Sequence, residues 1–325
     1  MLVYVIRRAG QSILVVLAMA VLVFVGVYAI GNPIDIMISP DADQAEMAAA
    51  VRRLGLDKPL YEQFWIFLKN ALHGDLGTSF VFSRPAAEVI LERMPATLEL
   101  AALALILSVA IGIPLGVIAG MAPERPHGKA IMAGSILGFS LPNFWQGLML
   151  IMIFAVWLGW LPAGGRGETR ELFGVAVSFL TLDGLAHMLL PATNLALYKM
   201  SLVIRLARAG TREVVLQDYV KFARAKGLSQ RRIVRVHVLK NIMIPVVTVI
   251  GLELGNMIAF AVVTETVFAW PGMGKLLIDS IGLLDRPIIV AYLMLIVVMF
   301  IVINFVVDVL YSVLDPRVRL VEAKA

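Results

Sequence analysis

Four histidines, His73, His127, His187 and His237, are the first residues to test for chemistry, since paired imidazoles hold zinc and a single one can move a proton. None belongs to an H-E-x-x-H arrangement, so they read as isolated loop or interface residues, and no metal site is expected. Gly272-Met273-Gly274-Lys275 is glycine-rich but lacks the G-x-x-x-x-G-K-[ST] spacing that cradles a phosphate. The chain is therefore not expected to hydrolyse ATP by itself, and no cofactor is expected in it. There is no G-x-S-x-G elbow for a serine nucleophile. The absence of cysteine removes disulfides, iron–sulfur clusters and thiol catalysis. Ser and Asp residues within the apolar runs lack an evident histidine partner, although spacing alone leaves an intramembrane protease open.

What remains is a small set of ionisable residues inside long apolar runs: Lys199, Glu253 and Asp308. A charge in such a place is costly unless it faces water, a partner or the interior of a bundle, so each is a candidate for a passage. Lys199 and Asp308 lie within a few turns of the end of their runs and can snorkel or pair there. Glu253 lies deeper and is the preferred pathway residue.

The elements that must position these groups follow from composition. Of 325 residues, 60% are hydrophobic and 16% charged, with a mean hydropathy of +0.89, outside the range of soluble domains. Apolar runs long enough to cross a bilayer occupy residues 9–30, 98–121, 131–160, 185–206, 244–267 and 287–310. The expected fold is an all-α polytopic membrane protein of one domain with six transmembrane helices. The first run could be a signal peptide cleaved after Ala18-Met19-Ala20, but it continues too far for a typical signal core, and an uncleaved helix is the better reading.

Lys and Arg content orients the spans. Arg7 and Arg8, Arg125 and Lys129, and Arg317 and Arg319 mark cytoplasmic ends, which puts both termini inside. Residues 31–97 then form an acidic extracytoplasmic segment, with amphipathic helices expected at 41–54 and at Leu60–Leu72 after Pro59, and turns at Gly74, Gly77, Ser79 and Ser83. The net charge of +5 lacks the interleaved aromatics of a nucleic-acid binder, so topology accounts for it and no nucleic-acid partner is expected.

Residues 207–243, between the fourth and fifth runs, are long and strongly basic for a connector. A short helix is expected over 218–226, ended by a left-handed Gly227, with Ser229 capping a second helix over 230–241. Such a helix-turn-helix at the membrane face suits mechanical coupling to a soluble partner. The alternative is a positive-inside anchor that touches only anionic headgroups.

This segment resembles the EAA loop of ABC importer permeases. Only Ala223, Gly227 and Leu239 match the general E-A-A-x-x-x-G…I-x-L-P pattern, but D-Y-V-x-x-A-R-A-K-G-L-S-x-R-R over 218–232 is similar to the dipeptide/oligopeptide subgroup nearly residue for residue. Further strings agree: L-G-L-D-K-P-L at 54–60, G-D-L-G-T-S at 74–79, P-A-T-L-E-L at 95–100, L-P-N-F-W at 141–145, E-T-V-F-A-W-P-G-M-G at 265–274 and L-D-P-R-V-R at 314–319. They span nearly the whole chain.

The resemblance implies a bacterial or archaeal cytoplasmic-membrane permease subunit, forming half of a translocation pathway for dipeptides or oligopeptides, with nickel complexes and glutathione as alternative cargo. It implies a homologous second permease, two cytoplasmic ATPase subunits that bind ATP and magnesium, and an external substrate-binding protein. It places ATPase coupling on Asp218, Tyr219, Ala223, Arg224, Ala225, Lys226 and Gly227, where a small Ala223 and Gly227 let helix and turn enter a groove. An ion-driven secondary transporter would also carry charges at mid-membrane, but leaves the basic helix-turn-helix unexplained. A non-transport scaffold is the remaining alternative.

A gate is expected at Glu265, Trp270, Pro271, Gly272 and Gly274. Pro271 fixes its own backbone angle, and Gly272 and Gly274 permit turns disfavoured elsewhere, so the chain can re-enter as a short helix through Leu276 and Ile281. Glu265 can hold the turn by accepting backbone hydrogen bonds, and Trp270 with Phe268 would sit at headgroup depth. Pro114, Pro142 and Pro191 are expected to kink or break helices. Gly112, Gly116 and Gly120 are expected to allow close helix contact.

Overall fold

The structure is a computed structural model that describes residues 2–29 and 57–314. In chain order the elements are α1 (Leu2–Ala29), α2 (Leu60–Leu72), α3 (Ala86–Met121), α4 (Pro126–Ser140), α5 (Asn143–Leu150, continued as a π-helical turn over Ile151–Trp157), β1 (Arg170–Leu172), β2 (Val175–Val177), α6 (Leu182–Val215), α7 (Asp218–Ala225), α8 (Gln230–Arg232, continued as a π-helical turn over Ile233–Val238), α9 (Leu239–Val267), α10 (Met273–Gly282) and α11 (Arg286–Leu314). The six apolar runs fall on α1, α3, α4 with α5, α6, α9 and α11. The external helix expected at 41–54 and the 314–319 string, with Arg317 and Arg319, lie outside the described residues, as does the side chain of Asp308.

Among the described residues, Ala86–Met121 and Arg286–Val307 are long and apolar enough to cross a membrane, and two further bent pairs qualify if each counts as one span. α6, although it holds the run at 185–206, is not among them, since it carries Asp183, His187, Asn194, Lys199, Arg205, Arg208 and Arg212 along its length.

Two compact bodies divide the chain, one made of Met1–Met94 with Gly272–Ile301 and the other of Pro95–Pro271 with Val302–Ala325. In the first, Ala20 and Val23 of α1 bury against Val290 and Met294 of α11, with Phe67 of α2 packed alongside. Phe24 meets Phe64 edge-on at 5.3 Å. The G-D-L-G-T-S string turns through Gly74 and Gly77, both at positive φ. It ends at a buried Asp285, which receives the Ser79 hydroxyl and the backbone N–H of Phe80 at 3.1 Å.

In the second body, α6 packs on α4, α5 and α9. Gly112, Gly116 and Gly120 of α3 lie directly against α6: a Cβ on Gly116 would come within 2.6 Å of the Ala207 Cβ and of the Ile204 carbonyl oxygen. Nothing but hydrogen fits there, which is the packing expected of the stripe. A cluster including Val203, Ala207, Val214, Val220, Ile233, Val238 and Ile242 continues this core to the base of α7.

Three expectations are corrected. Residues 131–160 are not one helix, since α4 and α5 meet at 108°. Pro142 forces Leu141 into an extended conformation (φ −83°, ψ 138°) and ends α4 there. By contrast Pro114 and Pro191 lie inside the continuous helices α3 and α6. The fold is not purely helical either: β1 and β2 form an antiparallel hairpin with Leu172 opposite Val175. Its two turn residues, Phe173 (φ 53°) and Gly174 (φ 80°), have the left-handed backbone of a type I′ turn. Finally, α6 runs to Val215 and a helical path, bent by 45° between Met243 and Pro245, begins at Gln230, so little of 207–243 is loop.

Candidate functional site

The basic segment between α6 and α9 is built on α7. Its end is a Schellman closure: Gly227, at φ 76°, donates its N–H to the Arg224 carbonyl at 2.9 Å, and Leu228 donates to the Ala223 carbonyl at 3.2 Å. The second helix does not end at 241, because the ladder passes through the π-helical turn into α9. Nor does the Ser229 side chain cap it; the Ser229 carbonyl takes the N–H groups of Arg232 and Ile233 instead.

Val220 and Ala223 point into the protein, and Ala223 is buried. Its small size therefore serves the chain's own packing, which replaces the expectation that it enters a partner's groove. The outward face carries Tyr219, Phe222, Arg224, Ala225, Lys226 and Gly227, with the Lys226 ammonium 4.5 Å from the Phe222 ring centre. The Lys221 ammonium, 2.9 Å from Asp218, holds that carboxyl below its ordinary range.

Two of the three intramembrane ionisable candidates come together. Lys199 of α6 and Glu253 of α9 form an ion pair midway along both helices. Because α6 extends to Val215, Lys199 is not near a helix end, and its ammonium is turned toward the carboxylate rather than toward an aqueous terminus. It also lies 5.2 Å from the Tyr198 ring centre, and Tyr198 stacks on Phe139 at 5.0 Å. The pair is not sealed, as the side chains retain 13% and 21% exposure.

The turn after α9 is fastened to the start of the P-A-T-L-E-L string. Thr97 donates its hydroxyl to Glu265 Oε1 at 2.6 Å, and the Trp270 indole N–H donates to the Ala96 carbonyl at 2.9 Å. Helix α9 closes with Trp270 N–H on the Glu265 carbonyl at 2.8 Å and Ala269 N–H on the Thr266 carbonyl at 3.3 Å. The residue that takes the left-handed conformation is Ala269 (φ 48°), not a glycine. Gly272 is extended at φ −91° and leads into α10, the expected short helix holding Gly274, Leu276 and Ile281. Phe268 and Trp270 are both buried. Membrane-interface anchoring is thus replaced by core packing, with the indole N–H meeting a protein carbonyl.

Two polar clusters in this body were missed by sequence reasoning. The Asn194 amide donates to Asn143 Oδ1 at 2.7 Å and to Thr264 Oγ1 at 3.1 Å, tying the α4–α5 break to α6 and α9. Beside it, Gln146 Nε2 donates to the carbonyls of Gly138 at 2.8 Å and Leu141 at 2.9 Å, which the broken helix leaves without intrahelical partners. Further on, Arg166 Nε donates to Glu99 Oε1 at 2.9 Å and to Ser178 Oγ at 3.1 Å, and Ser178 N–H reaches Glu99 Oε2 at 2.8 Å. That network seats the hairpin loop on α3. A Pro after Leu and an Arg in a glycine-rich loop were the available signals, but the contacts that join separate helices, Asn143 with Asn194 and Arg166 with Glu99, span 51 and 67 positions. Among the described residues no group of three His, Cys, Asp or Glu side chains is arranged to hold a metal.

Residues 112–320 match the family described as binding-protein-dependent transport system inner membrane component. Residues 1–101 match its companion N-terminal model. The di/tripeptide transport system permease protein DppB of Pseudomonas aeruginosa (strain UCBPP-PA14) is 39% identical over 333 residues, covering 98% of this chain and 99% of that one. The oligopeptide permease AppB of Bacillus subtilis (strain 168) is 38% identical over 97% of this chain and 99% of its own length. The glutathione permease GsiC of Escherichia coli O6:H1 is 39% identical over 98% and 99%. Among solved structures, a chain of the MetNI methionine ABC transporter in an inward-facing conformation superposes with a TM-score of 0.55 at 17% identity, covering 70% of this chain and 96% of that one. That likeness is one of fold.

Proposed function

The chain belongs to the binding-protein-dependent transport system inner membrane components, the permease subunits of ABC importers, and from that premise we propose that its cargo is a short peptide. The observation that carries this reading is the full-length identity to permeases named for di/tripeptides and oligopeptides. The ion-driven alternative gives way to family membership. Glutathione, itself a tripeptide with one unusual linkage, is the second reading, favoured by an equal identity to a glutathione permease.

In this reading the protein is a multi-pass inner-membrane subunit with six spans on α1, α3, α4–α5, α6, α9 and α11, and with both termini in the cytoplasm. It contributes half of the pathway, and a homologous permease supplies the other half. Nucleotide and magnesium are left to two ATPase subunits, which meet the outward face of α7 and the Gly227 turn through Asp218, Tyr219, Arg224, Ala225 and Lys226. An external binding protein delivers cargo to the turn over Glu265, Trp270, Pro271, Gly272 and Gly274. Lys199 and Glu253 border the path.

Reconstitution of the assembled complex in proteoliposomes tests the proposal. Uptake of a labelled tripeptide should require internal ATP and the binding protein, and the single subunit should give none. Robust uptake by the lone chain without ATP would refute the subunit role. A cognate binding protein that retains glutathione but no ordinary di- or tripeptide would select the second cargo.

A further inference from the structure

Lys199 and Glu253 answer one another across α6 and α9 at the middle of both helices. A charge at that depth cannot face hydrocarbon without large cost, yet neither side chain is sealed in the protein. The exposed side of the pair must therefore meet water or another polar surface. Lys199 has a second holder in the Tyr198 ring, so its ammonium stays placed when the carboxylate turns away.

A peptide with free ends carries the same two charges, an ammonium and a carboxylate. Such a molecule can replace the internal pair one contact for one contact, its carboxylate on Lys199 and its ammonium on Glu253, without stranding a charge in a poorly solvated place. A peptide blocked at an end leaves one protein charge without a counterpart, and that penalty is steep in a low dielectric. Resting on the peptide-cargo reading, we propose that the Lys199–Glu253 pair is a charge-exchange station. It passes peptides with free termini by surrendering its own ion pair to them, and it disfavours blocked ones. The alternative role is a latch that only fixes the α6–α9 angle and is blind to the cargo's ends.

The test uses the whole reconstituted complex, with binding protein loaded to equal occupancy by trialanine, by N-acetyl-trialanine, by trialanine amide or by N-acetyl-trialanine amide, so that the binding protein's own preference drops out. The wild-type complex should take up the free peptide about tenfold faster than the blocked one. K199M/E253Q removes both charges together and strands neither, which keeps the variant foldable. It should lose the preference, with the two peptides entering at equal rates. K199M alone should lose only the discrimination against the C-terminal amide, and E253Q alone only that against the N-acetyl group. A wild-type complex without preference, or a double variant that retains it, overturns the exchange and leaves a latch. If no peptide enters the wild-type complex although binding protein stimulates its ATPase, the peptide reading falls, and the station with it.

Discussion

Thr97 donates its hydroxyl to Glu265 at 2.6 Å although 168 positions separate them in the chain. One position before Thr97, the Ala96 carbonyl receives the Trp270 indole at 2.9 Å. Two short strings that resemble a family only as text are thus the two halves of one joint. A buried hydrogen bond to a charged group is worth about 1.5–3 kcal/mol. Thr97→Val should lower the thermal stability of the purified complex by that order, and Trp270→Phe by about 1 kcal/mol. Unchanged melting of both variants would mean that the turn is held elsewhere.

Ala269 occupies the left-handed position that closes α9 (φ 48°), where its Cβ is a burden. Ala269→Gly should therefore stabilise the protein by about 1 kcal/mol while leaving the closure intact. Differential scanning calorimetry of the variant, with a lower melting temperature as the contrary result, decides the matter.

Gly116 has no room for a methyl group, whereas a Cβ at Gly134 would meet nothing within 4 Å of it. Gly116→Val should abolish accumulation of folded subunit, since overpacking of this kind costs about 1–3 kcal/mol or more. Gly134→Val serves as the comparison and should accumulate normally. Equal membrane levels of the two variants would remove the steric argument.

Gln146→Leu leaves the Gly138 and Leu141 carbonyls without their donor at the α4–α5 break. Stranding these half-buried carbonyls costs about 1 kcal/mol. The expected readout is earlier unfolding in a denaturant series and faster hydrogen exchange around Leu141.

On α7, Ala223→Leu should impair folding of the subunit itself, because that side chain is buried in its own chain. Phe222→Ala, on the exposed face, should leave folding unchanged and reduce co-purification of the ATPase. Retention of the ATPase at wild-type level by the Phe222 variant would move the docking face away from α7.

Much of this was legible in the residues. The short helix at Leu60–Leu72, the Gly227 turn and the helix after Pro271 depend on backbone preferences that act within a few residues, so sequence places them well. The packing role of Gly112, Gly116 and Gly120 follows from their spacing on one helix face. Long-range pairing was not legible: nothing near Glu253 names Lys199 as its partner, and nothing near Arg166 names Glu99. The burial of Trp270 was misjudged for a related reason. An amphipathic ring fits a membrane interface and a core carbonyl equally well, and only the position of Ala96 separates the two. Ser229 sits at the N-cap position as expected, but its side chain makes no cap bond.

The glycine stripe on α3 also limits how this body can deform. With Val203, Ala207 and Thr211 of α6 set directly against it and no α3 side chain between, neither helix can roll about its own axis without driving these residues into the opposing main chain. Sliding by one residue meets the same obstacle. The degrees of freedom left to α3 and α6 are those they share, so a torque applied to one end of α6 turns the two as one plate, carrying Glu99 and Lys199 with it.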